Sequence, residues 1–135
     1  MKKLFLLFFL LFFIGCNQPR EVIDASKYPF VALPQTNLQA VMSKIQSDFG
    51  SANLFARTQN SLDIRQKADE NSYQNILKGQ KANFLGVIFS FYNQNSKTII
   101  LANPYVIAKN GTKFSLLKDK ETFKIVDSYL KNLKN

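Results

Sequence analysis

The sequence predicts an α+β domain: an antiparallel sheet of about five strands with an N-terminal and a C-terminal helix packed on it. Three observations carry that expectation. Apolar residues recur at helical spacing in Thr36–Phe49 and again in Lys118–Leu133, near the two ends of the domain. Between them run strand-like segments joined by turns too short for parallel crossovers. One of these, Asn83–Tyr92, is apolar on both faces, which suits the centre of a sheet covered on both sides or facing a partner. Helices segregated from hairpin-linked strands make a two-layer domain.

Taken in order, Asn17–Lys27 has mixed charge and reads as a tether. Tyr28–Leu33 is apolar enough to dock as an extended edge segment, which Pro29 permits. Thr36 and Gln39 have capping-box spacing, and Leu38, Val41, Met42, Ile45 and Phe49 then share one helix face, ended by Gly50. The Met and Phe of that face are read as core. Ala52–Gln59 and Leu62–Ala68 read as strands around an Asn60-Ser61 turn. In the second, Leu62, Ile64 and Gln66 alternate with Asp63, Arg65 and Lys67, so one face is wet. Asn71–Lys78 reads as a short helix with Tyr73, Ile76 and Leu77 inward and Gly79 at its end.

Leu85, Val87, Phe89 and Phe91 form one face of Asn83–Tyr92, with Phe84, Ile88 and Tyr92 on the other. Asn93–Ser96 turns the chain into Lys97–Ala102. Asn103-Pro104 is expected to interrupt that strand, because Pro104 cannot donate to a ladder, and Tyr105–Ala108 resumes it. Asn110-Gly111 is a hairpin signal leading into Thr112–Leu117. Asp119 is placed to cap the last helix, whose buried stripe is Phe123, Val126, Tyr129, Leu130 and Leu133.

Ahead of the domain stands MKKLFLLFFLLFFIGC. Lys2 and Lys3 precede the apolar run Leu4–Ile14, which is far shorter than the about 20 residues that cross hydrocarbon as a helix. Its length and flanks are those of a secretory signal. Phe13-Ile14-Gly15-Cys16 resembles the lipobox of bacterial lipoprotein signal peptides, with Phe13 where Leu is usual. The resemblance covers Met1–Cys16 alone. It implies cleavage between Gly15 and Cys16, a diacylglycerol and an N-acyl chain such as palmitate on Cys16, and a lipid-anchored place in the cell envelope. The chemistry agrees: a thiolate is a nucleophile able to accept lipid, glycine admits a close approach, and two or three acyl chains make a stable anchor. The implied division is 1–15 signal peptide, 16–35 lipidated N-terminus and tether, and 36–135 domain. Asn17 after the anchor is compatible with sorting to the outer membrane, periplasmic face, in a Gram-negative cell. Val87–Leu117 is in turn loosely similar to a strand-Asn-strand-Gly pattern of immunoglobulin-like domains in exported lipoproteins, which implies a β-sandwich with added helices. The two bracketing helices rank that fold second.

Composition narrows the chemistry further. Cys16 is the only cysteine and histidine is absent. Disulfide frameworks, zinc sites built on His or Cys, Ser-His-Asp triads and Cys-His dyads are therefore unavailable. No cofactor is expected beyond the acyl groups on Cys16. Without Lys2 and Lys3, sixteen Lys and Arg face nine Asp and Glu, with the excess concentrated in Lys97–Asn135. Such a balance favours anionic partners: lipid headgroups, envelope polymers or an acidic protein surface. Nucleic acid is not expected of an exported, tethered chain. Five of the thirteen Phe fall in the leading segment, and the rest are about what one core requires.

Motifs for catalysis are sparse. Ser115-Leu-Leu-Lys118 has the bare Ser-x-x-Lys spacing of penicillin-recognising enzymes but lies in a strand segment without the companion motifs. Asp69-Glu70 reads as charge near a helix start. Asn110-Gly111-Thr112 is a sequon whose hairpin role accounts for it. Two features are candidates for binding. Lys120, Lys124, Lys131 and Lys134 lie within about 80° on the last helix, around Asp127, and form an anion or partner surface. Phe89 and Phe91, on the two-faced strand, are the candidate hydrophobic contact. The expected function is a non-catalytic binding or adaptor module at the membrane, set in an envelope-spanning assembly such as a secretion or conjugation system. The alternatives are a carrier or chaperone with Phe89, Phe91 and Met42 lining a cavity, and a hydrolase using Ser115 with Lys118 or Asp69 with Glu70.

Overall fold

A computed structural model of the chain describes residues 27–134. The elements run β1 (Phe30–Pro34), α1 (Leu38–Phe49), β2 (Leu54–Arg57), β3 (Ser61–Lys67), α2 (Gln74–Leu77), β4 (Ala82–Gln94), β5 (Lys97–Ala108), β6 (Lys113–Ser115) and α3 (Lys120–Asn132). The strands are ordered β1-β5-β4-β3-β2, and β6 follows β1 along the same edge of β5. Every pairing is antiparallel. This is an α+β fold with one open six-stranded sheet. Among the described residues the paired sheets of an immunoglobulin-like sandwich are not formed, because helices rather than a second sheet cover the inward apolar face.

Alternation assigns the two faces. Inward go Val31 and Leu33 of β1, Leu62 and Ile64 of β3, Phe89 and Phe91 of β4, and Ile100 and Ala102 of β5. They meet Met42 and Ile45 of α1 and Leu130 of α3, with Leu38, Val41, Phe49, Val126, Tyr129 and Leu133 packed around them. A smaller cluster extends this face, where Leu77 of α2 and Leu116 pack on Ala82, Val106 and Ala108. The three helices therefore share one face. Because β1 supplies Val31 and Leu33, both buried, the folded unit starts ahead of residue 36.

Several local expectations change at atomic detail. Asn37, not Thr36, caps α1: its Oδ1 accepts from the N–H groups of Gln39 at 2.9 Å and Ala40 at 3.3 Å. The Thr36 N–H donates instead to Thr98 Oγ1 at 3.2 Å, fastening the helix entry to β5. Pro104 does not interrupt β5, which is continuous over twelve residues. Its carbonyl accepts from Leu116 N–H, so its backbone faces the outer edge of β5, where β1 has ended at Leu101 and β6 begins opposite Tyr105. The missing donor falls in the gap between two partner strands and removes no ladder bond. The β4–β5 hairpin turns at Asn95 and Ser96, both at positive φ, which matches the twist of paired strands.

Asp119 caps α3 as its position suggests, accepting from the Thr122 N–H at 3.1 Å and hydroxyl at 2.6 Å. The Tyr129 hydroxyl donates to Asp48 at 2.6 Å and joins α3 to the end of α1. That bond, with help from Lys44, holds the Asp48 carboxyl below its usual range, while burial raises the Tyr129 phenol. No helix among the described residues is long and apolar enough to cross a membrane.

Candidate functional site

The outward face of the sheet is uncovered by any described element. Because Leu62 and Ile64 point inward, β3 presents Asp63, Arg65 and Lys67 outward. The register sets these into rows across the sheet. Arg65 pairs with Gly86, Gly86 with Tyr105, and Tyr105 with Ser115; the next row is Lys67, Phe84, Ile107 and Lys113. Toward the β4–β5 hairpin the rows become neutral: Ser61, Ser90 and Leu101, then Tyr92, Ile99 and Ala32. One end of the face is cationic; the stretch beyond it carries no charge until Lys97, which stands with Gln94 and Pro34 at the hairpin.

Tyr105 organises the cationic end. Its ring lies across Gly86, where a Cβ would overlap it, so only glycine leaves room there. The phenol donates to Asp63 and accepts from Arg65 Nε at 2.8 Å, while Arg65 Nη2 stands 3.9 Å from Asp63. Tyr105 is only 2% exposed although it belongs to the open face. Burial first, and the Asp63 acceptor second, push its phenol up to about 12. A bulge in β2 turns Phe55 outward, 59% exposed, with the Arg65 guanidinium 3.5 Å from its ring centre. Lys113 sits 4.6 Å from the Tyr105 ring and Lys67 5.3 Å from that of Phe84. Lys67 bonds Asn83 Oδ1 at 2.7 Å, and neither lysine meets a carboxylate among the described residues. Asn103 Oδ1 is buried on this face without a hydrogen-bond donor among them.

The residues singled out from the sequence lie elsewhere. Phe89 and Phe91 are buried in the core beneath α1 and α3, so they are closed to an outside partner. Met42 is equally buried in the same cluster. Lys120, Lys124 and Lys131 are exposed on α3 and Lys134 is exposed in the turn after it, since the helix ends at Asn132; Lys131 turns back to Asp127 at 3.1 Å and to the Phe30 carbonyl. Ser115 Oγ accepts from the Leu117 N–H at 3.2 Å. Asp69 closes a turn on the Asn71 N–H, and Glu70 pairs with Lys109 at 2.6 Å, which lowers its pKa. Gly15 and Cys16 lie outside the described residues. An apolar groove of about 230 Å³ does occur, between the sheet and the first half of α3. Ile64, Leu85, Val87, Phe49 and Val126 line it, and Ile125, 63% exposed, stands at its margin. A Tyr73–Thr122 hydroxyl bond of 2.9 Å joins two further lining residues.

Sequence reasoning missed the open face because Asp63, Arg65 and Lys67 read as an ordinary wet strand face. The available signal was Gly86, a glycine amid bulky strand residues, which marks a close approach by a neighbour. No protein-family model, curated protein or solved structure matches the chain.

Proposed function

We propose that the chain is a lipid-anchored envelope protein that acts by binding rather than by catalysis, as an adaptor at the membrane surface. The observation that carries this reading is the open sheet face, where cations stand beside exposed Phe55 and part-exposed aromatic and aliphatic side chains with no described element packed over them. The lipobox-like segment ending at Cys16 supports the anchoring. Acylation would confine the domain to the bilayer and raise its effective concentration for a neighbour there, in an assembly such as a secretion or conjugation system. Crosslinking in intact cells, followed by pull-down of the acylated chain, tests this. Recovery of a defined envelope component, reduced in a Cys16→Ser strain, is expected. Equal recovery from both would remove the role of the anchor.

The groove beside α3 favours a second reading, a carrier of apolar ligands. Its about 230 Å³ exceeds the roughly 150 Å³ of an apolar cavity known to take up benzene. Enhanced fluorescence of N-phenyl-1-naphthylamine, abolished by Val126→Trp, is the result that would support it. A dye that stays dim with the unmodified chain would count against it.

A further inference from the structure

We propose that the open sheet face lies against the bilayer, with Arg65, Lys67 and Lys113 on anionic lipid headgroups and Ile88, Tyr92 and Ile99 at the headgroup–acyl boundary. This rests on the anchored reading above and names the bilayer as what its open face binds. Eleven Cα-to-Cα steps separate Cys16 from Lys27, the first described residue. Fully extended they reach at most about 40 Å. The domain therefore stays within its own dimensions of the membrane, and either face can turn toward it.

The two faces differ in kind. The solvent side of the helices mixes signs: Lys44 pairs with Asp48 and Lys131 with Asp127, and Glu121 lies in the first turn of α3. The strands of the open face present a single carboxylate, Asp63, already engaged by Tyr105 and Arg65. Lys67 and Lys113 form no salt bridge among the described residues, although the charge of Lys67 reaches Glu70, which is itself paired with Lys109. Next to these cations the face becomes uncharged, with Ile88, Leu101, Tyr92 and Ile99 set around Ser61 and Ser90, and Lys97 closes it at the hairpin. A surface that combines cations with aromatic and aliphatic side chains matches an anionic bilayer interface, where binding grows with both buried apolar area and charge attraction. An acidic protein would answer the cations and leave the uncharged stretch wet. A second copy would cover the uncharged stretch while bringing two strongly basic chains together.

The acylated full chain in vesicles tests the proposal. Its one native thiol is used by the anchor, so a single introduced cysteine takes a dye specifically. Ser90→Cys places the dye in the middle of the open face, and Ser128→Cys places it on exposed α3 near Lys124 and Lys131. The vesicles are phosphatidylcholine with or without phosphatidylglycerol, and both carry a lipid-borne quencher. Quenching at Ser90 is expected to be at least threefold stronger on the anionic vesicles, with little change at Ser128. Lys67→Gln with Lys113→Gln, or 1 M salt, should return it to the neutral-vesicle level. Quenching at Ser128 alone would transfer the role to the helix lysines and overturn the proposal. So would a Ser90 dye that stays wet while the chain floats with the vesicles, or one that polyglutamate protects in preference to lipid. Protection on neutral vesicles that rises with protein density would instead identify a second copy. A processed chain that fails to float with either vesicle would overturn the anchored reading itself.

Discussion

Gly86 and Tyr105 show how one missing side chain shapes the open face. A Cβ at residue 86 would meet the Tyr105 ring and drive the phenol away from Asp63 and Arg65. Gly86→Ala is expected to cost about 1–3 kcal/mol in urea unfolding, the range for overpacking. Tyr105→Ala removes the obstacle, so the double variant should lose less than the sum of the single losses. The same phenol imposes a pH dependence. Its folded value of about 12 lies above the ordinary 10, so its stabilisation is complete below pH 10 and lost as pH rises through 12. At ~1.4 kcal/mol per pH unit this is on the order of 2 kcal/mol. Denaturation at pH 9 and pH 11.5 should show a fall that Tyr105→Phe makes smaller. None of this was legible from residue identities, since Arg65 and Tyr105 stand forty positions apart and only the register joins them.

Elements obeyed their sequence patterns closely, and the departures have local causes. The helix stripes of α1 and α3 and the hairpins at Asn93–Ser96 and Asn110-Gly111 follow from periodicity and turn chemistry. The cap of α1 moved by one residue. Thr36 donates its backbone N–H to Thr98 and leaves Asn37 to accept from the first turn. Asn37→Ala should therefore cost about 1 kcal/mol by thermal or urea unfolding. Thr36→Ala keeps the N–H and is expected to stay within about 0.5 kcal/mol of the parent. Pro104 was misjudged because proline was weighed against an intact ladder. The gap between β1 and β6, where it costs nothing, is a property of strand order.

At the scale of the whole molecule, the sheet depends on its first strand. Val31 and Leu33 are buried against Ile100 and the helices, and each such side chain contributes about 1.5–3 kcal/mol. A chain begun at Thr36 should accordingly lose about 3–6 kcal/mol, a large share of a marginal total of about 5–15 kcal/mol, whereas one begun at Lys27 folds. Circular dichroism and thermal unfolding of the two chains check this. What the sequence by itself determined was the list of elements, the antiparallel hairpins, the one-sided helices and the absence of His and free-thiol chemistry in the domain. These follow from local spacing and composition. Only the tertiary structure decided that the helices share one face, that Phe89 and Phe91 are sealed beneath them, and that Phe55, Arg65, Tyr105 and Lys113 stand together on the open side. The reason is physical: a strand apolar on both faces has no preferred inside. Which face becomes core is settled by the helices that pack there, and every outward residue inherits its neighbours from that choice.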